Sequence, residues 1–186
     1  MPLTFTPLAI PGVFLIEPRV FADDRGFFLE NFKQSSFRQL GIDFEIVQEN
    51  ISYSQKGVLR GLHFQNEPYA QAKFVSVLRG EIFDVAVDLR RGSPTFGHWL
   101  GEILSAENHR SLFVPRGFAH GFCVLGEEAL VSYKVDAEYH PAADRSIRWN
   151  DPAIGVTWPI AAHRLSAKDA AAPLLRDSDF NFVHSS

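Results

Sequence analysis

The chain has 186 residues, 46% hydrophobic and 22% charged, the composition of a globular protein with a real core and not of a disordered one. A net charge of -4 argues against non-specific nucleic-acid binding, so an anionic ligand must be gathered by locally placed Arg and Lys. No apolar run reaches the roughly 18 residues of a membrane helix and no signal-peptide pattern is seen; the single Cys123, in an apolar run, permits no internal disulfide and points to a reducing cytoplasm.

Phe occurs 17 times, and aromatic residues favour strands, so the chain reads as mainly β. Residues 13–21 and 26–31 carry β-branched and aromatic residues between breaks and predict two strands. Between them Asp23-Asp-Arg-Gly26 reads as an aspartate-capped turn, placing Arg25, Phe27 and Glu30 around a turn–strand junction. Residues 34–40 predict a short helix closed by Gly41. A strand over 46–54 alternates Gln48, Asn50 and Ser52 with Val47, Glu49 and Ile51; the amide-rich face suits sugar hydroxyls and carbonyls, or plain solvent. Sheet segment 58–65 follows, then strands over 73–79 and 82–89 joined by Arg79-Gly-Glu81 as a tight turn between antiparallel partners. In the second of these, Phe83, Val85, Val87 and Leu89 share one face and Asp84 and Asp88 the other. Further strands are expected over 98–104, 111–114, 121–124 and 129–136, and Ser166 as N-cap predicts a helix over 166–172. No linker or repeat divides the chain. The expectation is one domain over 1–186, a jelly-roll sandwich or small barrel whose interior is a usual ligand site, with a short helical segment at about 164–176.

The chemistry concentrates in Val58-Leu-Arg-Gly-Leu-His-Phe-Gln65 and Gln71-Ala-Lys73. Three titratable donors, Arg60, His63 and Lys73, in a half-buried apolar segment are costly unless an anion or a reaction needs them. Fixed positive charge beside a histidine favours the neutral imidazole, so a general base next to an anion clamp is the reading. His120, in Pro115-Arg-Gly-Phe-Ala-His-Gly121, is a second histidine in a glycine-bracketed apolar segment. His98, His109, His140, His163 and His184 lie in polar or terminal contexts that solvent exposure explains. A metal-binding barrel would show His-x-His on one strand; here the second position is Gln65, and His63 with His120 are too few ligands for a typical site. Strict alternation puts Arg60 and His63 on opposite faces, and only a bend or bulge, which Gly61 permits, brings both into one pocket. Tyr133 and Tyr139 supply phenols able to act as acids.

Together these blocks closely resemble the dTDP-4-dehydrorhamnose 3,5-epimerase family over nearly the whole chain. The resemblance rests on Asp24-Arg-Gly26, Gln48-Glu-Asn50, Leu59-Arg-Gly-Leu-His63, Gln71-Ala-Lys73 and Asp84-Val-Ala-Val-Asp-Leu-Arg90. It continues through Ser93-Pro-Thr-Phe-Gly97, the His120 block, Trp149-Asn-Asp-Pro152 and Trp158-Pro159. It implies a cupin-like jelly roll, a homodimer, a nucleotide-linked 4-keto-6-deoxy sugar as substrate, and no metal or other cofactor. By the same resemblance His63 is the base, oriented by Asp169; Tyr133 is the acid on the opposite face of the sugar; Lys73 stabilises the enolate oxygen. Arg25, Phe27, Glu30, Gln48, Asn50, Arg60, His120 and Lys168 look like substrate contacts, and Tyr139 like the ring stacked on thymine. Where the family commonly has a Glu shortly after this tyrosine, the chain has Asp144. Relatives that invert only C3 or C5 share His63 and Tyr133, and a sugar-binding cupin without catalysis is the alternative of another class.

Overall fold

The computed structural model describes residues 3–160 and 164–184; His163 lies outside them. In chain order the elements are β1 (Leu3–Pro7), β2 (Phe14–Pro18), β3 (Val20–Asp23), β4 (Gly26–Leu29), α1 (Gln34–Arg38), β5 (Gln48–Gln55), β6 (Leu59–Gln65) and β7 (Lys73–Asp88). They continue with β8 (Trp99–Ser105), β9 (Ser111–Val114), β10 (Phe118–Val135), β11 (Asp144–Ser146) and α2 (Ala167–Ala170), before a 3-10 turn at Leu175–Asp177. The short strands β1 and β11, unanticipated in the sequence, add to β2 and β6.

Two long strands organise everything else. The first half of β7 pairs with β9 on one edge and with the last part of β10 on the other; its second half pairs with β8 and the first part of β10. β10 in turn takes β6 beside its first part and β5 beside its last. The β7–β10 ribbon thus belongs to two layers, one in the order β1-β2-β9-β7-β10-β5 and one in the order β8-β7-β10-β6-β11.

The expected tight turn at Arg79-Gly-Glu81 is corrected by this pairing. Its flanking segments pair with the same partner, not with each other, and β7 continues through it unbroken. At the crossover the register skips from Val124↔Ile82 to Ala129↔Gly80. Gly80 is needed there because its φ is +76 and an added Cβ would lie 1.8 Å from the Glu128 carbonyl oxygen. The strands expected over 121–124 and 129–136 are parts of the single strand β10. The expected strand over 13–21 is likewise divided: β2 ends at Pro18, which has no N–H to give the ladder, and β3 pairs with β4 as a separate two-stranded ribbon.

Phenylalanine fills one end of the molecule. Phe37 from α1 packs with Phe44, Phe74 and Phe113, all at most 3% exposed, and Phe5, Phe14 and Phe32 close the cluster. Its ring pairs are largely edge-to-face, such as Phe37 on Phe74 at 5.9 Å, the arrangement the ring quadrupole favours. A second, mostly aliphatic cluster drawn chiefly from β7, β9 and β10, and a third around Leu62, Val85, Val87 and Ile147, make up the rest of the core. Cys123 is fully buried, and burial pushes its thiol up to about 12, which makes it inert. Among the described residues no helix is long and apolar enough to cross a membrane.

Candidate active site

The bulge that the Arg60–His63 spacing requires lies in the β6–β10 ladder. Arg60 faces Phe122 and His63 faces His120, so three steps along β6 match two along β10. Gly61, at φ +134, sits against Gly121: a Cβ on Gly61 would fall 2.6 Å from the Gly121 Cα, and one on Gly121 would fall 2.7 Å from the Arg60 carbonyl oxygen. The two glycines let the backbones close in, and the extra residue turns Arg60 and His63 toward the same space.

That space is a cavity of about 610 Å³, a size suited to a small-molecule ligand. Gln48 and Asn50 from β5, Arg60 and His63 from β6, Lys73 from β7, and His120 and Tyr133 from β10 all line it. Tyr139, Asp144 at the start of β11 and Lys168 of α2 complete its rim. Asp169 stands behind His63, its Oδ1 2.5 Å from Nε2, with only 4% of its side chain exposed against 36% for the imidazole. Ser166 caps α2 by accepting the Asp169 N–H at 3.1 Å, which fixes the turn that aims this carboxylate. Burial alone would raise the Asp169 pKa, but the hydrogen bond from His63, together with bonds from Ser166 and the Gly61 backbone, outweighs it and holds the carboxylate ionised. With Asp169 on Nε2, the other ring nitrogen, Nδ1, is the one left to take a proton.

Lys73 is half-buried on the cavity wall, and its pKa falls to about 8, because desolvation outweighs the attraction of Asp136 and Asp144. Its ammonium donates to Gln71 Oε1 at 3.1 Å. Arg60 donates to Ser54 Oγ at 3.0 Å and has no carboxylate partner among the described residues, so its charge is available to an anion. At the mouth, the Tyr139 hydroxyl donates to Asp144 Oδ2 at 3.1 Å, and Lys168 meets the same oxygen.

Asp84, not among the expected site residues, belongs to the cavity wall. It is fully buried on β7 and sits 2.8 Å from His120 Nε2, a second histidine–carboxylate pair in the cavity wall. Burial raises its pKa against the pull of His120. In the sequence Asp84 stands between Phe83 and Val85, and only its pairing across β10 with the segment bearing His120 gives it a partner. Gln71, of the Gln71-Ala-Lys73 block, is a further lining residue.

Three expected contacts are elsewhere. Arg25 is exposed and paired with Asp23; Phe27 is 61% exposed and rests against His109 at 4.7 Å between centroids. Glu30 has a buried Oε1 with no hydrogen-bond partner among the described residues. None of the three lines the cavity; Arg25 and Phe27 belong to the β3–β4 hairpin, which pairs with no other strand among the described residues, and Glu30 follows it. His140 is not a solvent-exposed ring either: it stacks on Tyr69 at 3.7 Å. Among the described residues no three His, Cys, Asp or Glu side chains converge as ion ligands. A carboxylate-backed imidazole, a phenol and an ammonium share the cavity, a set that can abstract a proton, return one and stabilise an oxyanion.

The sequence profile of the dTDP-4-dehydrorhamnose 3,5-epimerase family matches residues 7–177. The chain is 56% identical over 169 residues to the dTDP-4-dehydrorhamnose 3,5-epimerase of Salmonella typhimurium, covering 90% of this chain and 92% of that one. A solved structure of dTDP-6-deoxy-D-glucose-3,5-epimerase from Legionella pneumophila in complex with dTDP-4-keto-L-rhamnose superposes with a TM-score of 0.92 at 50% identity, covering 95% of both chains. A 3'-monoepimerase from Streptomyces bikiniensis in complex with dTDP-quinovose superposes with a TM-score of 0.87 at 38% identity, covering 91% of this chain and 87% of that one.

Proposed function

The chain belongs to the dTDP-4-dehydrorhamnose 3,5-epimerase family, and from that premise we propose that it inverts C3 and C5 of dTDP-4-dehydro-6-deoxy-D-glucose to give dTDP-4-dehydro-β-L-rhamnose, in dTDP-L-rhamnose biosynthesis. The observation that carries the mechanism is the His63–Asp169 pair opening on the cavity that Tyr133 and Lys73 also line.

The C4 ketone acidifies the hydrogens on C3 and C5. His63 takes the proton from one of these carbons on Nδ1, while Nε2–H donates to Asp169, which stabilises the imidazolium. The electron pair of the broken C–H bond moves onto the C4 oxygen, where the Lys73 ammonium meets the enolate charge. The phenol of Tyr133 then gives its proton to the opposite face of the same carbon, which inverts it. His63 loses its proton to solvent, Tyr133 regains one, and the cycle repeats at the second carbon. Arg60, Lys168, Gln48, Asn50, His120 and Asp144 hold the substrate, with Arg60 toward the diphosphate and Tyr139 against the base.

The working unit is a homodimer in the cytoplasm that uses no metal or other cofactor. Support for the dimer comes from the β3–β4 hairpin, which exposes Val20, Phe21, Phe27 and Phe28, while its Arg25 does not line the cavity of its own chain. An exposed apolar ribbon of this kind is matched to a partner surface, and Arg25, Phe27 and Glu30 serve the partner's substrate.

The likeness to a 3'-monoepimerase supports a second reading, inversion at one carbon. Incubation with dTDP-4-keto-6-deoxyglucose in deuterated water, read by NMR, separates the two. Deuterium enters both C3 and C5 on the first reading and one carbon alone on the second; no label at either would leave only a binding protein.

A further inference from the structure

Glutamine side chains converge on one short piece of backbone. Residues 137–140 follow β10 outside any strand and carry Tyr139, 55% exposed, at the cavity mouth. Gln71 Nε2 donates to the Ala137 carbonyl at 2.7 Å. Gln65 Nε2 donates to the Glu138 carbonyl at 3.2 Å and to the Tyr69 carbonyl at 2.7 Å, and Gln65 Oε1 accepts the His140 N–H at 2.7 Å. Gln48 Oε1 accepts the Tyr139 N–H at 2.8 Å. Consecutive residues are thereby each held by a side chain from β5, from β6 or from the chain just before β7.

Gln65 is 3% exposed and donates twice while accepting once. A primary amide can do this; a neutral imidazole has one donor and one acceptor. The residue standing where a metal-binding barrel would carry histidine therefore has a positive task of its own. Gln71 has a further bond, since its Oε1 accepts from the Lys73 ammonium at 3.1 Å. One amide joins the segment that bears Tyr139 to the cation expected at the reacting oxygen.

Resting on the reading of Tyr139 as the ring that stacks on the nucleobase, we propose that Gln65 and Gln71 are positioning residues that preset the 137–140 segment to receive the nucleotide, with Gln71 coupling that segment to Lys73. A segment left unheld would have to be ordered at each binding event, and the cost would come out of affinity.

Gln71→Glu separates the two arms, because a carboxylate keeps an acceptor for Lys73 and has no N–H for the Ala137 carbonyl. Calorimetric titration with dTDP should show binding about tenfold weaker than in the unsubstituted protein. The same substitution in a Tyr139→Ala background should cost nothing further, as it acts through that ring. The added negative charge stabilises the Lys73 ammonium, so the alkaline limb of C–H exchange should move to higher pH. Gln65→Glu, which keeps the acceptor for His140 and sets a carboxylate against two carbonyls, should repeat the affinity loss with the same dependence on Tyr139. Undiminished dTDP affinity in both variants, or an equal loss with and without Tyr139, overturns the positioning role; an unmoved alkaline limb overturns the coupling to Lys73. Tyr139→Ala alone is the control that separates the premise from the proposal: full dTDP affinity in that variant overturns the reading of Tyr139 and the proposal with it.

Discussion

The two ionised groups that matter most to the proposed chemistry are each set by a short list of neighbours. In that proposal Asp169 holds the proton of His63 on Nε2, and an amide at that position loses the charge that stabilises the imidazolium. Asp169→Asn should lower kcat by up to about 10⁴-fold, as the same change does in a histidine–aspartate pair of a hydrolase triad, and steady-state kinetics on the dTDP-sugar will measure it. In the proposed chemistry Lys73 acts as a cation, and its pKa of about 8 means the charge is present below that pH and lost above it. Exchange should therefore fall on the alkaline side with an apparent pKa of about 8. Asp144 is one of the carboxylates that raise the Lys73 value, so Asp144→Asn should move the limb to lower pH; a limb unchanged in a pH series would remove Lys73 from the account. His63, Lys73 and Tyr133 were legible from residue type and motif. Asp84 was not, since an aspartate alternating with valines reads as a solvent face until the opposite strand supplies His120.

At the scale of elements, the decisive feature is a bulge of one residue in β6. Gly61 could be recognised as permissive because the spacing of Arg60 and His63 demanded a break in alternation, and the register shows the break in place. Gly61→Ala would force a Cβ against the Gly121 backbone at a φ that L-residues avoid. It should destabilise the protein by about 3 kcal/mol in denaturant titration and should reduce exchange even where the variant is folded, because His63 shifts with the bulge. Full activity at unchanged stability would mean that the bulge is not what aims His63. Gly80 teaches the opposite lesson. Arg-Gly-Glu has turn chemistry, and nothing local distinguishes a turn from a crossover where another strand passes close; only the pairing of both halves of β7 with β10 decides it. Most strand positions were legible because alternation is local, whereas their joining into two long bent strands is a property of distant partners.

For the whole molecule, the proposed dimer raises the question of whose hairpin serves whose cavity. Sequence reading put Arg25, Phe27 and Glu30 with the other contacts, and no local pattern says whether a residue acts within its own chain or across an interface. If Arg25 acts in the partner's cavity, Arg25→Ala and His63→Ala subunits combined in one dimer leave one site with both defects and one with neither. Co-refolding the two variants, each inactive alone, should then restore about a quarter of the native activity, for random pairing in a two-fold dimer; no recovery would place Arg25 within its own chain, and an Arg25→Ala protein active by itself would place it outside the reaction. The claim on which everything else depends is that one base serves both carbons. The most direct test is His63→Ala incubated with dTDP-4-keto-6-deoxyglucose in deuterated water, alongside a dTDP titration showing that the nucleotide still binds. The account predicts that deuterium enters neither C3 nor C5, and label appearing at either carbon would contradict it by revealing a second base.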